Sequence, residues 1–438
     1  MRSWDLPTRD GDHPYTMGNQ SSCSGPAPRA SPLEEPMDSR AIGRRVRYWR
    51  TRRNLSRAQF ADRCDRSVSW VDKIEAGERT LVRLPMLERV AAALDISVAA
   101  LTEDDTAERA TQCLDAVEVQ ALRTALGSYD TILGRRTGQD PDLTRLRAQV
   151  DHACSAWLSS HFAVMGRVLP DLMRQAQTAV HALDGEPRLE ATRHLVMTYR
   201  LASSTLLKFE TTDVAWLAAD RAITLATQSD DLICLARATR SVARAMAQAG
   251  QLRTALDILI TMADRMEPDL AGDPELVSLY GMLLLPAEIA AASDGDAPTA
   301  TALHEQADAV ARTLGPDYAH RTTAFGVTNV ALHRLAALVR LHDGAAALTY
   351  ARSINPEALA VLPRERKANF LLDLAEAHRQ TGNTQDAGRV LLQADRVAPE
   401  EVRCRPVARQ LLGQLLGQPG APPLPQLRQL ALRIGLPA

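Results

Sequence analysis

Pairs of cysteines are missing from this chain. Its six cysteines stand far apart, at positions 23, 64, 113, 154, 234 and 404. No two have zinc-ligand spacing, and so large a chain does not depend on a disulfide framework. Reduced thiols in a cytoplasmic protein are the expectation. Lysine is scarce too. Only Lys73, Lys208 and Lys367 occur among 51 basic residues, so 48 are arginines. That skew reads as codon bias in a GC-rich genome. No run of about eighteen apolar residues stands out, which argues against a membrane span. The N-terminus lacks a basic start followed by an apolar core, which argues against a secretory signal. There is no Gly-rich phosphate loop, no His-Glu-x-x-His and no Gly-x-Ser-x-Gly elbow. An enzyme is therefore not expected, nor a cofactor, a metal or catalytic residues.

What is present fits a globular protein of more than one domain. The chain has 438 residues, 45% hydrophobic and 24% charged. Its net charge of −2 hides an asymmetry. Residues 40–103 hold fourteen Lys/Arg against eight Asp/Glu, a balance of +6. Residues 1–39 carry three against six, and residues 104–438 carry thirty-four against thirty-nine. A basic module on an acidic body points to a polyanionic partner for that module alone.

Residues 1–38 are rich in Pro, Gly, Ser and Asp without periodicity and are expected to be a disordered tail. Met37, just before the first periodic segment, is an alternative start. Residues 39–103 form the first module. Ile42, Val46 and Trp49 recur at helical spacing, and Asn54 ends that helix. Ser56 with Gln59 has capping-box spacing, and Phe60, Ala61 and Cys64 give the second helix its apolar side. Ser67 caps the third helix, Val71 and Ile74 point inward, and Gly77 stops it. Leu84, Leu87, Val90, Ala91 and Leu94 mark a fourth helix, and Ile96, Val98 and Leu101 a short fifth. Two short helices joined by a tight turn are the form that lays a helix in a DNA major groove. Val68, Ser69, Asp72 and Lys73 then face outward, with Trp70 at the margin. Val68 suits a thymine methyl, Ser69 either donates or accepts, and Lys73 reaches guanine or phosphate. Ser67 and the helix start favour a phosphate oxygen, and Arg57, Arg79 and Arg83 are phosphate clamps. Asp72 puts a negative charge near DNA, to be offset by a cytosine amino group or by Lys73.

The module resembles the XRE family of helix-turn-helix regulators, which share the fold of lambda-type repressors. The resemblance rests on Leu55-Ser56, Ala61, Ser67, Val71, Ile74-Glu75, Gly77, Leu84-x-x-Leu87 and Ala91-x-x-Leu94. It implies that Arg50 of the first helix pairs with Glu75 at the end of the recognition helix. Asp65 stands at the turn position where the family usually has glycine, and Arg66 replaces an aliphatic residue. Asp tolerates left-handed backbone better than most residues.

Residues 104–140 are expected to be a connecting helical region and residues 141–436 a helical-repeat domain. There, Ala215, Ala255, Ala300, Ala347 and Ala387 each stand near the start of a helix, after a short polar turn. Their spacings are 40, 45, 47 and 40. Small residues at that point let paired helices approach closely, and such pairs stack into a solenoid with a concave face. The layout resembles actinobacterial XRE regulators with TPR-like C-terminal domains, in the phrases 66–75, 215–222 and 323–334. Phe325, Asn329 and His333 share one helix face and are candidate effector contacts, with Tyr318, His320 and Arg321 at the rim. His333 is the candidate carboxylate reader or pH sensor. Tyr199, Trp216 and Asp220 are second-rank candidates. Pro286, inside a helical run, predicts a kink.

The expected fold is all-α: a lambda-repressor-like helix-turn-helix domain followed by a TPR-like α-helical solenoid. The expected function is a sequence-specific DNA-binding transcriptional regulator, dimeric on half-site logic. Its partners are a double-stranded DNA operator and a small-molecule, peptide or protein effector, with no membrane. The alternative is a TPR-type interaction scaffold with weak or vestigial DNA binding.

Overall fold

The computed structural model describes residues 39–52, 55–79, 81, 84–94, 96, 98, 101, 116–128, 141–270, 273–315, 323–403, 405–417, 425–434 and 436. The expected tail, 1–38, lies outside them. The chain divides into two compact units, Met1–Ala107 and Glu108–Ala438. Among the described residues every regular element is a helix.

The first unit contains α1 (Ser39–Arg52), α2 (Arg57–Arg63), α3 (Val68–Glu75) and α4 (Leu84–Leu94). Ile42, Val46 and Trp49 of α1, Phe60 of α2, Val71 and Ile74 of α3, and Leu87, Val90 and Leu94 of α4 are all buried. Both bonds of the Ser56–Gln59 capping box are made. Asp65, in the turn before α3, has φ 53, the left-handed region. Asn54 and most of the expected fifth helix lie outside the described residues, but Leu101 is buried and its carbonyl accepts from Arg45 Nη1 at 2.9 Å. One determinant escapes a search for apolar periodicity. A Cβ on Gly43 would lie 2.2 Å from the carbonyl oxygen of Ile74. Only glycine lets α1 pass so close to the end of α3. Gly43→Ala should cost about 1–3 kcal/mol, the usual penalty of overpacking. A thermal melt of the full chain checks this, and an unchanged first transition would refute the contact.

The second unit runs through α5 (Ala116–Leu126), α6 (Leu143–Leu158) and α7 (Phe162–Ala182) into five helix pairs. These are α8 (Gly185–Lys208) with α9 (Thr212–Ser229), and α10 (Leu232–Gln248) with α11 (Leu252–Met266). Then come α12 (Pro274–Ser293) with α13 (Ala297–Thr313), and α14 (Val327–Arg340) with α15 (Gly344–Ala351). After the short α16 (Pro356–Val361), the last pair is α17 (Arg364–Gln380) with α18 (Thr384–Val397). The chain closes with α19 (Pro399–Arg403), α20 (Pro406–Leu416) and α21 (Pro425–Arg433).

The five marker alanines are each the fourth residue of the second helix of a pair, and all are fully buried. Five residues before each alanine stands a residue of positive φ: Glu210, Gly250, Gly295, His342 and Gly382. The repeat is therefore a left-handed turn that reverses the chain, then a small side chain where the two helices touch. Glycine fills three of the five turns, since it alone takes that backbone without strain.

Long-range bonds join early and late helices of this unit. Glu400 Oε2 accepts from the backbone N–H of Phe162 at 2.6 Å and of Ala163 at 3.2 Å. Ser160 Oγ donates to Glu401 Oε1 at 3.1 Å, across 241 residues of sequence. Lys208 Nζ donates to Glu365 Oε1 at 2.9 Å and also to Glu401 Oε1. Burial pushes the Glu400 carboxyl up to about 8, against the pull of its two backbone donors. Two apolar cores fill the unit, and α14 belongs to both. Phe325, Val330 and Ala337 pack into the first core, and Leu332, Leu335 and Val339 into the second.

One expectation needs correction. By length and composition, helix α12 is long and apolar enough to cross a membrane, contrary to the expectation that the chain holds no such run. In the fold, 72% of its apolar window is buried, and it carries the fully buried Glu288. Such a helix is hydrophobic all round because it is covered all round. Cys64, Cys154 and Cys234 are buried free thiols.

Candidate functional site

Two sites need description, one in each unit. In the first, Ser67 begins α3 with its hydroxyl accepting from the Trp70 N–H at 3.3 Å. Val68, Ser69, Asp72 and Lys73 are exposed, and Val68 is 43% exposed despite being apolar. Ser67, Arg57 and Arg79 are exposed as well, whereas Arg83 lies outside the described residues. Trp70 departs from its expected marginal place. It is 6% exposed and turns inward with Val71 and Ile74. A short helix held between neighbours on two sides buries a wider arc than a two-residue stripe. Trp70 therefore supports the outward face without being part of it.

Arg50 Nε and Nη2 donate to the two carboxylate oxygens of Glu75, at 2.5 and 3.1 Å. Arg50 Nη1 also donates to the Leu55 carbonyl at 2.8 Å, so one guanidinium ties α1, the start of α2 and the end of α3 together. Arg57 lies 3.1 Å from Asp72 and 3.5 Å from Glu75. The Asp72 charge is thus met inside the module by Arg57 and not by Lys73.

In the second unit a cavity of about 920 Å³ is walled by α8, α10, α12, α14 and α17 among others. Asn329 and His333 line it. Asn329 is 1% exposed, and among the described residues neither atom of its side-chain amide has a hydrogen-bond partner. His333 Nδ1 stands 2.9 Å from the Asn329 carbonyl oxygen. A carbonyl only accepts, so Nδ1 carries the proton and the neutral ring presents Nε2 as an acceptor. Burial, with Arg366 and Arg240 nearby, pushes the imidazole down to about 3. His333 is therefore neither a carboxylate-binding cation nor a sensor near neutral pH, contrary to expectation.

Phe325 is not on the cavity wall. It is fully buried with its ring pressed on Gly281, where a Cβ would fall 2.0 Å from Cζ. It anchors the start of α14. Tyr318, His320 and Arg321 lie outside the described residues. Tyr199 is buried and accepts from Gln177 Nε2 at 2.8 Å, while Trp216 packs against the first core.

The wall also holds what sequence reading missed, a concentration of arginine. Eight Lys/Arg face four Asp/Glu there, inside a unit with more acids than bases overall. Arg240 owes its place to a proline. Helix α12 continues through Pro286, which lacks the N–H that would bond the Met282 carbonyl four residues back. Arg240 Nε donates to that oxygen instead, at 3.1 Å. Arg244 Nη1 donates to Ser204 Oγ at 3.0 Å and Arg200 Nε to Met197 Sδ at 3.0 Å. Burial, reinforced by neighbouring guanidiniums, lowers Arg240 well below its ordinary range. Arg244, where Glu365 partly opposes the same effects, falls to about 10. Asp373 is pushed up to about 6 by burial, with Arg340 and Arg405 opposing. Among the described residues no group of three or more His, Cys, Asp or Glu is placed to hold a metal ion.

Residues 41–103 match a family model described as a helix-turn-helix domain. No curated protein matches the chain. Among solved structures, the chain is similar to PlcR of Bacillus thuringiensis in complex with the peptide PapR7 and DNA. Identity is 14% and the TM-score 0.36, over 78% of this chain and 98% of that one. It is also similar to aspartyl phosphate phosphatase F of Bacillus subtilis, at 12% identity and TM-score 0.41, over 83% and 96%. For the apo form of the competence regulator ComR of Streptococcus vestibularis the values are 13% and 0.22, over 91% and 99%. The N-terminal unit of this chain is a helix-turn-helix domain, and an all-helical repeat unit follows it.

Proposed function

We propose that the chain is a DNA-binding transcriptional regulator, laid out like the actinobacterial XRE regulators with TPR-like domains, whose helical-repeat unit binds an effector. The observation that carries the reading is the outward face of α3. Val68, Ser69, Asp72 and Lys73 stand exposed after a side-chain-capped helix start, in a module with a balance of +6. That is the form of a helix that reads base edges in the major groove. The Arg57–Asp72 pair supports it, because it offsets the one negative charge on that face. One such helix spans too few base pairs for useful specificity, so a homodimer on paired half-sites is part of the proposal. So is a cytoplasmic location, where an operator is within reach. The effector enters the cavity walled by Asn329 and His333. To regulate, it must favour one of two states of the protein that differ in DNA affinity.

Two variants test the docking. Lys73→Ala should cost about 1–3 kcal/mol and relax preference at one base position if it meets guanine. Arg57→Ala should weaken all sequences alike and flatten the salt dependence, since it removes a phosphate contact and uncovers Asp72. Binding titrations at several salt concentrations, on sites mapped across the organism's own genome, read both effects. Unchanged affinity in both variants would overturn the docking, and an absence of reproducible palindromic sites would favour the scaffold.

A further inference from the structure

Four guanidiniums meet in the cavity without enough anions to match them. Arg240 and Arg244 sit four residues apart on α10 and so share a face, Arg200 comes from α8, and Arg366 from α17. Arg200, Arg244 and Arg366 all lower the proton affinity of Arg240, and Arg200 and Arg366 lower that of Arg244, which places the group within electrostatic range. Arg200, Arg240 and Arg244 have neutral hydrogen-bond partners, and among the described residues none has a carboxylate within 4.0 Å. Arg366 has only Glu365, at 3.4 Å, and Glu365 is shared with Lys208. Each neutral partner engages one N–H of a fork that has five, so donors remain for another group. Gathering like charges in a poorly hydrated cleft is costly unless something offsets them. The Asn329 side-chain amide, 1% exposed and also lining the cavity, has neither its donor nor its acceptor used among the described residues. The lining also holds apolar side chains, among them Met282 and Ile289 of α12 and Leu332 of α14.

We propose that this cavity takes an amphipathic organic anion, its carboxylate or phosphate among Arg200, Arg240, Arg244 and Arg366, its adjacent amide or hydroxyl on Asn329, and its apolar body along α12 and α14. Arginine forks match the planar carboxylate and the tetrahedral phosphate by paired hydrogen bonds, which a lysine ammonium does not. The inference deepens the effector reading above and rests on it for its biological role. The anion site itself stands on the geometry alone.

The test uses the full chain and four probes: octanoate, octyl phosphate, a hydrophobic tetrapeptide with a free C-terminal carboxylate, and inorganic phosphate. The neutral controls are octanamide and the amidated peptide. Calorimetry and thermal melts read binding. At least one amphipathic anion should bind about tenfold more tightly than its neutral control, the factor expected from one charge-assisted hydrogen-bonded contact. Which anion binds distinguishes a fatty acid, a phosphate ester and a peptide terminus. Arg244→Gln should lose about tenfold in affinity for that anion while the ligand-free protein melts no lower than wild type, because it removes a charge repelled by its neighbours and bonded, among the described residues, to the neutral Ser204. Neutral controls that bind as well as the anions, no binding by any anion, or an Arg244→Gln variant with full affinity would each overturn the anion site. A DNA titration with the bound anion present separates the two readings. Anion binding that leaves operator affinity unchanged refutes the effector role and upholds the site.

Discussion

Replacing Lys208 with methionine should lower the stability of the helical-repeat unit by about 3–5 kcal/mol, the typical cost of removing one partner from a buried charge network. The ammonium is 5% exposed and bonds Glu365, 4% exposed, and Glu401, fully buried. Its charge also lies 4.8 Å from the ring centre of Trp157 and 5.1 Å from that of Phe162. Burial alone would raise the Glu365 carboxyl, but Arg366 and Lys208 outweigh it and hold the group well below the usual carboxylate range. Without the lysine, two carboxylates remain in a poorly solvated seam with Arg405 as the main compensation for Glu401, at 2.7 Å. Denaturant unfolding of the unit should show the loss. Lys208→Met combined with Glu365→Gln and Glu401→Gln should recover only part of it, because the two carboxylates are then neutral but Arg366 and Arg405 lose their partners. A single variant as stable as wild type would show that this network does not hold the early and late helices together.

Glu75→Ala should destabilise the helix-turn-helix module by a similar amount, about 3–5 kcal/mol. The Arg50 and Glu75 side chains are only 11% and 4% exposed, so the orphaned guanidinium has little water to turn to. Arg50→Met with Glu75→Leu should restore part of the loss. Recovery stays incomplete because the bond from Arg50 Nη1 to the Leu55 carbonyl goes as well. Thermal melts of the full chain followed at Trp49 and Trp70, both in this module, give the readout. A melt unchanged in the single variant would refute the tie between α1 and α3.

Much of the first unit was legible because its signals are local. A Ser three residues before Gln59, and Val71 and Ile74 at helical spacing before a glycine, specify caps, faces and ends within a few residues of chain. The alanine in the first turn of each repeat's second helix was legible for the same reason, since a short polar turn and the small residue after it recur together. Misplaced residues are those whose surroundings come from far away. Trp70 turns inward because helices on both sides cover α3. Phe325 leaves the cavity because Gly281, on a different helix, opens a slot for its ring. His333 loses its charge because burial and two arginines from other repeats surround it.

By itself, then, the sequence determined the helical class, the two-part layout, the cap and outward face of α3, and the repeat spacing, all governed by period and turn chemistry along the chain. Only the tertiary structure decided that arginines distributed over α8, α10 and α17 share one cavity, that Pro286 frees the carbonyl that Arg240 takes, and that residues 160–208 join residues 365–401. Each depends on contacts across tens to hundreds of residues, and charge in a sequence has no address until the helices that carry it are packed.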